Sequence, residues 1–386
     1  MKLRTLLFLC FLTGTMLFAQ TDTEIDNDPE LSKQAAENYK NRPNTIQVTD
    51  NIFMLKGMGG NIAVHHGIDG VLMIDTQFER ASEAILIAIQ KETEMPLQFI
   101  INTHGHKDHT SGNKNFKRKG ATIIAHENTR EVMLSQMYQS AEQQALANLD
   151  KELERLKNQG GDNEKEAYVN AEKDRLIAIL KEQSQENLDI DYEMLPAIAF
   201  QDDLLFHYND EDIKLTHIPN AHTSGDVIVH FPKSNVLHTG DAFVSNLYPF
   251  IDLDNGGSFQ GYRNGLTTIM NRINTDTKII PGHGELATKA DVAETRRMMN
   301  IFYEKVTFEY LKGKTEDEVA QMRDFSKMFD DQGYGDGFIT TEQFLRSTYK
   351  AVDKELGQKR AENEERRKKL EQAKKRAAAM DKGNKN

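Results

Sequence analysis

The stretch THGHKDHTSG, residues 103–112, places His104, His106, Asp108 and His109 within six positions. Only 12 of the 386 residues are histidine, so composition does not account for the cluster. A lone histidine is ordinarily structural, but three beside an aspartate repel one another when protonated and strand polar atoms when buried neutral. The group calls for a cation. Imidazole nitrogen and carboxylate oxygen suit a borderline metal such as zinc, whereas calcium and magnesium take mostly oxygen.

The segment LQFIINTH that runs into the cluster reads as a buried strand, so the histidines sit on a loop held by a sheet. Upstream, NIFMLKG, GNIAVHH and VLMID (71–75) read as strands, with GIDG closing a hairpin between the last two. RASEAILIAIQKET reads as a helix that buries Ala84, Ile85, Ala88 and Ile89. Downstream, residues 112–119 form a short helix and ATIIAH (121–126) a strand. From Thr129 to Leu188 the pattern becomes long, charged and helical, broken at Gly160-Gly161. Leu149, Leu153 and Leu156 give one apolar stripe, and Leu176, Ile177 and Leu180 another. An antiparallel helical hairpin inserted at about 129–190 is expected, either as a solvated decoration or as a wall over the site.

Strand patterns resume with AIAF, DLLFHY, IKLTHIP and the hairpin DVIVHF-PKSN-VLHTGD, followed by a helix near 259–273, the strand TKIIPGHG and a helix from Thr288. Two sets of strands with helices around them imply a sheet sandwich covered by helices on both outer faces. The expected units are a signal peptide (1–19), a polar leader (20–45), a main domain (46–290), a helical extension (291–350) and a charged tail (351–386). FDDQGYGDGFITTEQF invites comparison with a calcium loop, but Gln332, Tyr334 and Gln343 occupy ligand positions, so it reads as a turn between helices.

MKLRTLLFLCFLTGTMLFAQ has Lys2 and Arg4 before an apolar run too short for a comfortable membrane span, then Ala19. It reads as a secretory leader, which places the mature chain in the periplasm or medium with no stable membrane span. The only cysteine, Cys10, lies inside it, so the mature chain has no disulfide, thiol nucleophile or cysteine ligand. Losing two positive charges takes the formal charge from -12 to -14, which makes nucleic acid a poor partner. A small-molecule substrate is expected. The sequence sets no oligomeric state.

Three later loops supply further candidate ligands at strand ends: NAHTSGD with His222, LHTGDAF with Asp241 and IIPGHGE with His283. A glycine beside each lets the backbone turn sharply near a metal. With Asp75 closing VLMID, the ordered set THGHKDH, HTSGD, TGD and PGHG resembles the metallo-β-lactamase superfamily, the αββα-sandwich hydrolases, over roughly Ile46 to Ala290. The resemblance implies that His104, His106 and His222 hold one ion, that Asp108, His109 and His283 hold a second, and that Asp241 bridges them. Asp75 fits an orienting role. His65, His66, His126, His207, His217 and His230 read as structural, as does His238, although its place three residues before Asp241 leaves a supporting role open.

On this reading the cofactor is Zn²⁺, two ions, with iron as the alternative. Asp108 and Asp241 are the catalytic carboxylates: Asp108 orients the nucleophile or moves a proton, and Asp241 bridges the ions. The expected reaction is attack of a metal-bound hydroxide on the carbonyl of a cyclic amide or ester, of β-lactam or lactone type. The alternatives are a mononuclear-iron persulfide dioxygenase-like enzyme or a thioesterase of the glyoxalase II type. β-Lactamases that resemble this chain usually carry cysteine or serine where Asp241 stands, which argues against efficient antibiotic hydrolysis. The loop LYPFIDLDNGGS is expected on the substrate side.

Overall fold

The computed structural model describes residues 40–158, 163–181, 190–357 and residue 369. The expected leader peptide, most of the polar segment after it, Gly160-Gly161 and nearly all of the charged tail lie outside these residues. Twelve strands are present among those described: β1 (Asn44–Gln47), β2 (Ile52–Lys56), β3 (Ile62–Gly67), β4 (Gly70–Ile74), β5 (Leu97–Ile101), β6 (Thr122–His126), β7 (Ile198–Phe200), β8 (Leu204–Tyr208), β9 (Glu211–His217), β10 (Val227–Phe231), β11 (Val236–His238) and β12 (Lys278–Ile280). They form two sheets, ordered β1-β2-β3-β4-β5-β6-β7 and β12-β11-β10-β9-β8.

Why the central strands read as unbroken apolar runs is now visible, because both faces of each sheet are covered. Along β2, Ile52 and Met54 pack between the sheets with Leu72, Ile101, Leu215, Val229 and Ile280. Phe53 and Leu55 point the other way, onto helix α1 (Ser82–Glu92), which contributes Ile85, Ala88 and Ile89. The second sheet turns Ile228, Leu237 and Ile279 outward against α6 (Phe259–Arg272) and α7 (Lys289–Leu311), which supply Leu266, Ile269, Met298 and Phe302. The αββα sandwich is thus fixed by period-2 alternation between two different apolar environments.

Helices α2 (Lys107–Thr110) and α3 (Asn113–Arg118) follow β5. Helix α4 (Glu127–Asn158) leaves β6 without a turn and runs 32 residues, and α5 (Asn163–Lys181) returns beside it. The described core of this pair is Leu153 on Val169, with half-buried Leu149. Val169 adds a contact on the return helix that the sequence stripe did not include; of that stripe Ile177 is half-buried, and the side chains of Leu156, Leu176 and Leu180 lie outside the described residues. The strand β1 begins at Asn44, within the segment read as leader, because NTIQ is a polar edge strand that buries little.

The C-terminal residues pack on the α6–α7 face through Val319, Phe329, Tyr334, Phe344 and Val352. In the calcium-loop look-alike, Asp330 accepts hydrogen bonds from Tyr248 (2.8 Å), Thr341 (2.6 Å) and Ser326 (2.8 Å), so its oxygens tie turn to core. Among the described residues no helix is long and apolar enough to cross a membrane.

Candidate metal centre

Every candidate ligand follows a strand, and the two sheets are tied at the edge where those loops meet. Val227 donates its amide to the Thr103 carbonyl (2.8 Å), and the Asn61 side chain donates to the carbonyls of Pro281 (2.9 Å) and Gly284 (3.0 Å). Gly240 adopts φ +49°, which lets the chain turn immediately before Asp241. A Cβ on Gly282 would collide with the Asp241 carboxylate, so only glycine admits the β12 loop this close to it.

The result gathers all seven expected residues. His104, His106 and His222 bring one ligand atom each within 4.8 Å of one another. So do His104, His109 and Asp241, and so do Asp108, His109 and His283. Asp241 lies between the two halves: its Oδ2 is 3.6 Å from His222 Nε2 and 3.5 Å from His283 Nε2, and its Oδ1 is 3.3 Å from His109 Nε2.

Hydrogen bonds fix which ring nitrogens face inward. His222 Nδ1–H donates to the Phe250 carbonyl (2.8 Å), leaving Nε2 as a lone pair. His106 Nε2–H donates to Asp252 (2.7 Å), leaving Nδ1. The two lone pairs then face each other at 2.8 Å, an arrangement that needs a cation or a proton between them. Thr103 spends its hydroxyl proton on Asp75 (2.7 Å), so His104 Nδ1–H donates to Thr103 (3.1 Å) and its Nε2 also points inward. His104 Nε2 is buried without a hydrogen-bond partner, and buried Asp241 Oδ1 has the 3.3 Å ion-pair contact with His109 Nε2 but no hydrogen bond of normal geometry. Buried orphaned polar atoms are costly, and a borderline divalent ion would satisfy both. The residues present therefore fit a metal of the zinc or iron kind.

A second layer of residues orients these rings. Asp75 is fully buried in a left-handed conformation (φ 66°) that is uncommon outside glycine. Its carboxylate accepts from the Thr103 amide (2.8 Å) and from His109 Nδ1–H (2.8 Å). Asp226 accepts from the amides of His222 (2.7 Å) and Thr223, and from the Thr223 hydroxyl. His238 donates to the Asn61 carbonyl (3.0 Å) and accepts from the Gly240 amide (3.1 Å), so the histidine read as structural braces the turn that carries Asp241. Asp252 and the Phe250 carbonyl, on the loop expected at the substrate side, carry no sequence signal for this role.

Charge divides the cluster. Burial holds the pKa of His104 well below its ordinary value, helped by neighbouring His109 and His222, and lowers His222 to about 4. Burial works against charge on His109 and His283 as well, but Asp241 and Asp108 outweigh it. They raise His109 well above its ordinary value and His283 to about 9. Burial disfavours the carboxylate forms of Asp241 and Asp108, yet the same imidazoles pull both below their usual range.

A cavity of about 570 Å³ opens on this cluster. Besides His106, Asp108, His222, Asp241 and His283, its walls include Met58, Val244, Leu247, Phe250, Phe338 and Ile339. The C-terminal extension thus contributes to the mouth. Phe338 is 86 % exposed and meets Phe250 edge-on at 6.2 Å.

The sequence profile described as the Metallo-beta-lactamase superfamily matches residues 57–283, more than half of the chain. An alkyl/aryl-sulfatase of Saccharomyces cerevisiae is 30% identical over 90 residues, which are 22% of this chain and 14% of that protein. Among solved structures, the stereoselective inverting sec-alkylsulfatase of a Pseudomonas species aligns with TM-score 0.56 and 14% identity, over 80% of this chain and 50% of that one. A metallo-beta-lactamase from Pontibacter korlensis aligns with TM-score 0.46 and 14% identity, over 67% of this chain and 99% of that one. The chain spans half or less of the two sulfatases it matches.

Proposed function

The chain belongs to the metallo-beta-lactamase superfamily, and from that premise we propose that it is a metal-dependent hydrolase with a dinuclear zinc centre. The observation that carries the reading is His104 Nε2, buried without a hydrogen-bond partner and converging with Asp241 inside a set of seven nitrogen and oxygen donors. His104, His106 and His222 would hold one ion, Asp108, His109 and His283 the other, with Asp241 between them. Bound there, divalent ions supply Lewis acidity and make a water ionisable near neutral pH. Asp75, Asp226 and Asp252 fix ring and loop orientation, and the Phe250 carbonyl fixes the tautomer of His222. Asp108, partly exposed to the cavity, is placed to orient a nucleophile or move its proton. The apolar walls exclude water and seat the rest of the substrate.

The bond we propose is the carbonyl of a cyclic amide or ester. A sulfate ester is the second reading, supported by the local similarity to an alkyl/aryl-sulfatase and by the apolar cavity walls. The experiment combines elemental analysis of the purified chain with hydrolysis of a panel of lactams, lactones, thioesters and aryl sulfates. Two zinc ions per chain with lactone or lactam turnover support the first reading, and turnover confined to sulfates selects the second. One iron per chain with oxygen consumption on a persulfide would replace both.

The leader read in residues 1–19 makes the periplasm or medium the proposed working compartment. Terminal sequencing of protein recovered from there should begin at or near Gln20, and an intact Met1 would count against export.

A further inference from the structure

Lys107 stands between two members of the cluster, His106 and Asp108, and lines two cavities. One is the 570 Å³ cavity over the metal-site residues. The other, about 400 Å³, is walled by Met133, Met137, Ile190 and Met194, so the first turns of α4 form one side of it. Lys107 is exposed and, among the described residues, has no ion-pair partner. The acid among the described residues lining the second cavity, Asp191, is paired with Lys114. Among the described residues no other lysine or arginine lines either cavity.

These facts restrict what can lie beside Lys107. Asp108 and Asp241 face imidazoles, so the cavity carboxylates are already engaged. The walls on one side include Val244, Leu247, Phe250 and Ile339, and on the other Met133, Met137 and Met194 stand beside the polar Thr110, Gln136 and Ser140. A chain of net charge -12 repels anions at long range, so an anionic ligand held here needs a local cation. Methionine walls adapt to apolar groups of varied shape.

We propose that Lys107 is a specificity-determining residue that holds a monoanionic group, carboxylate or sulfate in type, on an otherwise apolar substrate. The apolar body lies along the walls beside the ammonium, and the scissile group meets the metal-site residues. The assignment rests on the hydrolase reading above and names the substrate class for that same site.

The test uses octanoate and octane-1-sulfonate, a sulfate mimic with no ester bond to hydrolyse, as anionic probes and 1-octanol as the uncharged one. Each is titrated by calorimetry into the zinc-loaded full chain, into Lys107→Met and into Lys107→Arg, with metal content measured in every sample. Wild type should prefer at least one anion over octanol, and the stronger of the two anions identifies the group. Lys107→Met keeps the stem and loses the charge, so the preference should fall about tenfold, the scale of one charge-assisted contact. Lys107→Arg should keep it, and added salt should shrink it in wild type. Comparing variant with wild type removes any anion binding by the metals themselves. No anion preference in wild type, or an equal preference in Lys107→Met at equal metal content, overturns the proposal. Because binding is read without turnover, a failed hydrolysis panel sinks the hydrolase reading and leaves this result to stand or fall separately.

Discussion

The two halves of the ligand cluster use similar donors in opposite electrostatic states. In the His104–His106–His222 half, burial depresses the His104 and His222 imidazoles, and hydrogen bonds to Thr103, Asp252 and the Phe250 carbonyl turn one lone pair of each ring inward. The Asp108–His109–His283 half is a network of ion pairs, with Asp108 3.2 Å from His283 and 3.5 Å from His109. One half is poised to ligate at neutral pH. The other is held together by protons that an incoming ion must displace.

Asp241 belongs to both halves, so its substitution should have the largest effect. Asp241→Asn keeps the shape but leaves one neutral oxygen and replaces the other by an NH₂ that cannot ligate. The first half should keep one ion while the second is weakened. Activity should fall at least about a hundredfold, the upper end of what a disturbed metal shell commonly costs, and its pH profile should move upward. Metal per chain and rate against pH are the measurements. Two ions retained with an unchanged profile would break the distinction between the halves.

The protonation difference gives the next effect. His283 has its pKa raised to about 9 in the metal-free chain, and an imidazolium does not ligate. Affinity for the second ion should therefore rise with pH, by up to about tenfold per unit for each proton displaced; the share carried by His283 should end above about pH 9, and the raised His109 adds its own. Over pH 7 to 9 the lowered His104 and His222 add no such slope to the first ion. The sign for stability follows the same group. A raised imidazole stabilises the metal-free fold fully below its ordinary value of 6.5, and that contribution is lost as pH rises through about 9. Thermal melts of the metal-free chain should accordingly fall across that window. Parallel pH slopes for the two ions, by calorimetry in buffers of different ionisation enthalpy, would refute the division.

A smaller effect isolates the first half. Asp252→Asn keeps the size of the side chain but removes the anion that accepts from His106 Nε2–H. First-ion affinity should drop by about tenfold, the lower end for a lost outer partner, while the second ion's pH slope stays. Equal weakening of both ions would mean that the loop holds the whole cluster instead of one ring.

How far the sequence reached depends on what kind of contact each feature makes. The seven candidate ligands were legible because titratable side chains stood in short motifs at the ends of strands whose apolar runs are unmistakable. The sandwich was legible because β2 to β6 alternate between two buried faces. Asp252 was not, since it meets His106 across 146 residues and its own neighbourhood reads as a polar turn. The Phe250 carbonyl has no sequence signature at all. Strand β1 escaped because an edge strand buries half of its side chains weakly, and Phe338 because nothing in an exposed turn announces which cavity it borders.

The smallest expected effect comes from the helical insert, and its smallness is informative. Its root is tied to the ligand loops: Thr129 donates its hydroxyl to the Gly225 carbonyl (2.8 Å) and Asn128 its amide to the Ser224 carbonyl (2.9 Å), next to His222. Beyond that root, the described core is Leu153 on Val169, so the distal hairpin gives little to the fold. The Tyr138 and Tyr192 hydroxyls lie 3.3 Å apart, so α4 passes close to the segment that re-enters the domain, the level at which a flexible linker is to join them. Replacing residues 143–187 by such a linker should leave both metal affinities within about twofold, because no ligand and no orienting residue is removed. Any change should fall on substrate preference through the cavity beside Met137. Metal binding is read by calorimetry and folding by thermal melt. A folded variant that loses the first ion would show that the hairpin, and not only its root, positions His222; loss of the second ion alone would place its influence on the ion-paired half.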